Sequence, residues 1–176
     1  MKQPECTIYT IGHSTRSIEQ FLDLLKAHDI EELVDVRTIP KSRHNPQFGQ
    51  EELATSLKQT GIGYVHLGKL GGLRHSQRDS VNLGWQNSSF RGFADYMATS
   101  EFQEGLDELK AIAGKKRVAI MCAEAVPWRC HRSLIADALT TQGWQVLHIQ
   151  SRKTANPHEL TPFLKVQDGK LTYPAS

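Results

Sequence analysis

The sequence predicts an α/β protein: a Rossmann-like three-layer sandwich with a mostly parallel sheet of about five strands, plus a C-terminal β-hairpin. Three observations carry this. Short apolar runs alternate with stretches of helical period, so strands and helices take turns along the chain. Runs end at glycines or polar loops before a helix begins, which is the order of right-handed βαβ crossovers. Near the end the pattern changes to two short runs around Asp168-Gly169, a pair suited to a type I′ turn.

In chain order, residues 7–11 (Thr-Ile-Tyr-Thr-Ile) read as a buried strand that Gly12-His13-Ser14 breaks. Ser17-Ile18-Glu19-Gln20 has the form of a capping box, and Ile18, Phe21, Leu22 and Leu25 continue at helical spacing. Residues 33–36 form the second strand and end in Arg37. Residues 51–60 form a helix that Gly61 closes, and residues 64–67 form the third strand. Residues 68–89 have no period. Loops of that length are functional or disordered. Residues 90–97 and 102–113 are helical, residues 118–121 form the most strand-like run, and a helix through Leu134, Ile135, Ala138 and Leu139 ends at Gly143. Residues 145–149 are the fifth strand. The hairpin of residues 166–172 then reads as an appendage that covers a sheet edge or contacts a partner chain.

The 176 residues read as a single domain, with residues 1–150 as its core and 151–176 as a C-terminal extension. At 39% hydrophobic and 23% charged residues, the composition excludes a disordered or collagen-like chain. No apolar run approaches the ~20 residues of a membrane span. Residues 1–6 lack an apolar signal core, so the expected compartment is the cytoplasm. There the three cysteines would remain thiols. A net charge of +2 is too small to argue nucleic-acid binding. The charge is uneven, however: residues 17–35 carry six acids and one base, and residues 37–78 carry seven Lys/Arg and two Glu.

The strongest constellation is Cys122-Ala-Glu124-Ala-Val-Pro127-Trp-Arg129-Cys130-His131-Arg132, between a strand and the next helix. Ligands bind beyond the carboxyl ends of strands in open α/β sheets. A helix N-terminus there attracts anions and lowers thiol pKa values. The functional reading is a thiolate or anion site; the plain alternative is a core cysteine with arginines paired to surface acids. Three chemistries compete. One is an anion pocket similar to those of cysteine phosphatases and rhodaneses, although Trp128 stands where their arginine falls. Another is a metal site of Cys122, Cys130 and His131, with His13 as a further ligand. The third is a Cys–His nucleophile pair or a Cys122–Cys130 redox pair. Cys130, placed at a helix start beside cations, is expected to be the more acidic thiol, and Cys122 the more sheltered.

Gly12-His13-Ser14 offers close backbone approach and a neutral-pH acid/base, or simply a turn. Asp35 and Arg37 point to one side of their strand, either as a buried ion pair or with Arg37 over a ligand. All three constellations follow strands, so all should meet at one sheet edge. Lys41, Arg43, Lys69, Arg74 and Arg78 could line a phosphate path, with Phe48, His75, Trp85 and Phe90 as stacking faces. A solvated loop surface explains them better.

Five motifs in order resemble the domain of unknown function 488 family of bacteria and archaea. They are Thr10-Ile11-Gly12-His13-Ser14, Leu33-Val34-Asp35-Val36-Arg37 with Pro40 and Ser42, Leu70-Gly71-Gly72, Phe93-Ala94-Asp95-Tyr96-Met97, and Cys122-Ala123-Glu124 with Pro127 and Cys130-His131-Arg132. The resemblance runs from about residue 8 to residue 149 and implies a compact α/β domain but no settled reaction. The leading expectation, from the residues, is an enzyme or degenerate enzyme for a small anionic or phosphorylated ligand, with nucleotides and nucleic-acid ends first. Cys122 or Cys130 is the reactive thiol, His13 the acid/base and Glu124 an orienter or second acid/base. Arg37, Arg129 and Arg132 clamp the anion, with Gly12, Ser14, Asp35 and His131 beside it. The alternatives are a non-catalytic nucleic-acid-binding or repair accessory module and a metal-binding protein. No cofactor is identified, and a homo-oligomer is compatible with the sequence.

Overall fold

Each apolar run becomes a strand whose side chains alternate between two buried faces, and that alternation builds the layers. The computed structural model describes residues 6–176; residues 1–5, read above for a leader, lie outside them. The elements are β1 (Thr7–Gly12), α1 (Ile18–Ala27), β2 (Glu32–Asp35), α2 (Gln50–Gln59), β3 (Gly63–His66), α3 (Ser88–Tyr96), α4 (Ser100–Ala113), β4 (Val118–Cys122), α5 (Arg132–Thr141), β5 (Gln145–Ile149), β6 (Ala155–Pro157), β7 (Lys165–Gln167) and β8 (Lys170–Thr172). Among the described residues no helix is long and apolar enough to cross a membrane.

The main sheet has the order β3-β2-β4-β1-β5-β6. Its first five strands are parallel. The sixth, β6, pairs antiparallel with β5 and covers that edge. It adds one strand to the expected sheet. Tyr9, Ile11, Leu33, Ala119 and Met121 face α1 and α2. Ile8, Val34, Val36, Val118 and Ile120 face the layer of α3, α4 and α5. Burial on both faces is what parallel crossovers require.

The expected capping box is present: the Ser17 side chain accepts from Gln20 N–H, and Gln20 Oε1 accepts from Ser17 N–H. The long irregular stretch is held by Asp95, which is buried in α3. Asp95 accepts from Gln77 N–H (2.8 Å), Ser80 Oγ (2.6 Å) and Asn82 Nδ2 (2.8 Å). β7 and β8 turn at Asp168 (φ 52°) and Gly169 (φ 78°), the two left-handed residues of a type I′ turn.

The tail is not the appendage expected. Phe163, Leu164 and Leu171 pack on the core, and Tyr173 is fully buried in it. Its hydroxyl donates to Asp137 at 2.8 Å, and its carbonyl accepts from Gly84 N–H at 2.8 Å. Among the described residues the hairpin pairs with no other strand, and the edge is covered by β6.

Candidate functional site

The register brings the predicted motifs together. Gly12 at the end of β1 pairs with Cys122 at the end of β4, and Asp35 at the end of β2 pairs with Met121. The three strand ends therefore open on one edge. Beyond Cys122 the chain folds back over β1. His13 N–H donates to Cys122 O and Ser14 N–H to Ala123 O, both at 2.9 Å. Glu124 O passes so close to Gly12 that a Cβ there would sit 1.6 Å from it. Only glycine fits beneath this loop.

Pro127–Arg129 forms a 3-10 turn. Cys130 is therefore extended (φ −136°, ψ 145°) and buried, with α5 starting two residues later. The Cys122 thiol donates to Glu124 O at 3.6 Å, and Cys122 and Cys130 are near enough that each shifts the other's acidity. Cys130 Sγ accepts from Arg132 N–H at 3.4 Å. His131 Nε2 donates to Val36 O at 2.9 Å, which turns Nδ1 toward Cys130 Sγ at 3.6 Å. Burial holds His131 down at a pKa of about 4, so the ring is neutral.

The order of thiol acidity is the reverse of the expectation. Burial pushes Cys122 up, but the neighbouring Cys130, the Arg132 charge and the Glu124 backbone outweigh it and bring the thiol below its ordinary value. Burial and the neighbouring Cys122 push Cys130 up. The sequence places Cys130 at a helix start; the 3-10 turn moves it off that start and under Cys122.

Arg132 is 1% exposed. Its Nη1 donates to Thr10 Oγ1 (3.2 Å), and its Nη2 donates to Glu124 O (3.2 Å) and Ala125 O (2.9 Å). Among the described residues it forms no ion pair with a carboxylate. Buried charges are ordinarily paired, and its charge acts on Cys122.

Asp35 holds Arg37 through Nε (2.9 Å) and Nη2 (2.7 Å) and also accepts from Tyr64 OH (2.6 Å). Burial, then Asp35, raises the Tyr64 pKa and keeps that hydroxyl protonated. Among the described residues, Arg37 Nη1 is buried without a partner.

A cavity of about 460 Å³ is lined by Arg37, Cys122, Glu124, Arg129, Cys130 and His131. Lys41 and the first turn of α3, at Asn87 and Ser89, complete its wall. Sequence reasoning missed the α3 contribution; its signal is the Asn87 cap, which accepts from Ser89 and Phe90 N–H. Gly12, His13, Ser14, Asp35 and Arg132 lie outside the lining. His13 is 2% exposed, stacks on Phe48 with ring centres 4.4 Å apart and has Nδ1 on Ser14 O at 2.8 Å. Burial lowers its pKa, and Nε2 is buried without a partner.

Much of the expected phosphate path is occupied. Lys69 lies 3.7 and 3.6 Å from Glu104 and Glu108. Arg74 sits 3.7 Å over the Tyr96 ring and donates to Gly71 O and Gly68 O. Phe48 is buried, and Trp85 packs on Phe90, Phe163 and Tyr173. Among the described residues no three His, Cys, Asp or Glu side chains are grouped to hold a metal, which corrects the reading of Cys122, Cys130 and His131 as ligands.

A second cavity, of about 600 Å³, lies between residues 125–128 and the tail. His148 and His158 line it, beneath Trp128 and Leu160. Neither histidine stands in a motif that the sequence marks.

A family model described as Domain of unknown function DUF488 matches residues 17–139. Comparison with curated proteins and with solved structures finds no match.

Proposed function

Since this chain belongs to the DUF488 family, whose description names no reaction, we propose a function from its own side chains. It binds a small ligand carrying a phosphate monoester, such as a nucleotide, in the basic cavity, and Cys122 is the thiolate placed to attack the phosphorus: an S–P bond forms as the ester P–O bond breaks, the leaving oxygen takes a proton from Glu124, and water then cleaves the S–P bond to give inorganic phosphate and the free thiolate. The carrying observation is the lining itself: Arg37, Lys41 and Arg129, with the N-terminal turn of α3, share one cavity with two thiols. Guanidinium groups and helix N-termini are the usual partners of phosphate oxygens. The unpartnered Arg37 Nη1 is the donor left for an oxyanion, while Asp35 fixes the plane of the guanidinium.

Within this reading each residue has a task. Arg37 and Arg129 clamp the anion. Arg132 lies outside the lining and offsets the charge of Cys122. Cys130 lies beside that sulfur, and Glu124 at the exposed rim exchanges protons with the ligand. His13 supports the edge by stacking on Phe48 and is not the acid/base.

Calorimetric titration with inorganic phosphate and with a nucleoside 5′-monophosphate tests this. Binding should persist at raised salt and weaken about tenfold or more in Arg129→Met and Arg37→Met. Arg129 is exposed, so its variant keeps the test valid if Arg37→Met, which strands Asp35, fails to fold. Absence of binding to either anion overturns the reading. So does a steep salt dependence with no effect of Arg129→Met, the pattern of backbone-charge binding to nucleic acid.

A further inference from the structure

Arg132 and Asp137 are opposite charges buried in the same helix, five residues apart. They lie about 140° apart around α5, so they cannot meet directly. A chain of hydrogen-bonding side chains joins them instead. Arg132 Nη1 donates to Thr10 Oγ1 at 3.2 Å. Thr10 Oγ1 meets His148 Nδ1 at 2.5 Å, His148 Nε2 meets His158 Nδ1 at 2.9 Å, and His158 Nε2 meets Asp137 Oδ1 at 2.7 Å. Asp137 also accepts from Thr161 N–H, Thr161 Oγ1 and Tyr173 OH.

With both rings neutral, the ends set the direction of every bond. A guanidinium only donates, so Thr10 accepts from it and donates its own O–H to His148 Nδ1. That ring then carries its proton on Nε2 and donates to His158 Nδ1. His158 in turn donates from Nε2 to the carboxylate. Burial, the neighbouring His158 and the Arg132 charge hold His148 at a pKa of about 3, so a neutral ring is available for the chain.

We propose that Thr10, His148, His158 and Asp137 form a buried hydrogen-bond wire that positions Arg132 for the Cys122 site. A cation in the first turn of a helix faces the unfavourable end of the dipole. Arg132 stays there because two loop carbonyls and the wire hold it. The same guanidinium carries Glu124 O and Ala125 O, the backbone that separates the two cavities. The wire crosses β1, β5 and α5 and is anchored by His158, Thr161 and Tyr173, all beyond the residues that match the family model. His148 and His158 are positioning residues: both nitrogens of each ring are used inside the wire, leaving none for a ligand in the second cavity.

This inference deepens the proposed function, resting on Cys122 as its thiolate, but its test needs no phosphate. Alkylation of Cys122 by iodoacetamide is followed against pH, with the modified peptide resolved by mass from those of Cys6 and Cys130. The charged groups facing Cys122 are Arg132 and Glu124, with Cys130 as its neighbouring thiol. Thr10→Val keeps the shape and removes the hydroxyl; Thr10→Ser restores it. Thr10→Val should alkylate about three- to tenfold more slowly near neutral pH and match wild type at high pH, where both thiols are ionised. Thr10→Ser should follow wild type, and Asp137→Asn, a break at the far end, should follow Thr10→Val. A merely structural role would leave the pH profile in place. The proposal is overturned if both breaking variants keep the wild-type profile, if Thr10→Ser shifts as far as Thr10→Val, or if the slowing is equal at every pH. Failure of phosphate binding in the calorimetry overturns the functional reading without moving this profile.

Discussion

Gly12 shows how a single residue sets the site. The loop from Cys122 crosses it with Glu124 O at 1.6 Å from where a Cβ would stand. Gly12→Ala must displace backbone that β1 and β4 both hold. It should cost roughly 3 kcal/mol or more, read as a fall in the urea midpoint at unchanged slope. The thiols give a second prediction. Cys122 should alkylate faster than Cys130 at neutral pH; the reverse order would return the acidic role to Cys130. Legibility at this scale was uneven. Cys122, Arg37, Glu124, Arg129, Cys130 and His131 stood out as a cluster because each follows a strand or precedes a helix, and the cavity joins them. Their acidities were not legible, because these depend on the approach of the two cysteines and on the buried charge of Arg132, both set by tertiary packing. His13 looked like an acid/base from its position after a strand, but Phe48, from a distant loop, covers it.

Among the elements, the parallel strands and long helices were legible because both faces of each strand and one stripe of each helix are apolar. β6 was not. It is three residues long, includes Pro157 and has no alternating pattern; its pairing with β5 creates it. The hairpin was legible from Asp168-Gly169 alone, but its packing was not, since the burial of Tyr173 depends on Asp137 in another element. The turn allows a clean measurement. Gly169 has φ 78° with open space around it, so Gly169→Ala meets no clash and only backbone strain. It should cost about 1 kcal/mol and lower Tm by roughly 2–4 °C. No change in Tm would mean that the β7–β8 turn contributes nothing to the folded state.

Across the whole molecule, buried neutral histidines set the response to acid. Burial holds His131 at a pKa of about 4 and His148 at about 3, and lowers His13. In the unfolded chain they take up protons near pH 6.5. Their contribution to stability is therefore complete above that pH and declines as pH falls toward the folded values. The urea midpoint should drop between neutral pH and about pH 5, and His131→Gln should flatten that drop. A midpoint constant over this window would contradict the buried neutral rings. Asp137 was the least legible feature of all. It sits in a helix stretch whose neighbours Ile135, Ala136, Ala138 and Leu139 are all buried. An acid inside such a run was the signal, but its partners come from two later segments, the connection after β6 and the residue after β8. That order has a consequence for synthesis. A ribosome delivers the chain from the N-terminus at roughly 5–20 residues per second, so β1, β4 and α5 emerge before His158, Thr161 and Tyr173. Until then the Asp137 carboxylate has no donors and resists burial, and α5 has reason to stay loosely docked. The thiol site at its start is thus completed only after segments that leave the exit tunnel behind it.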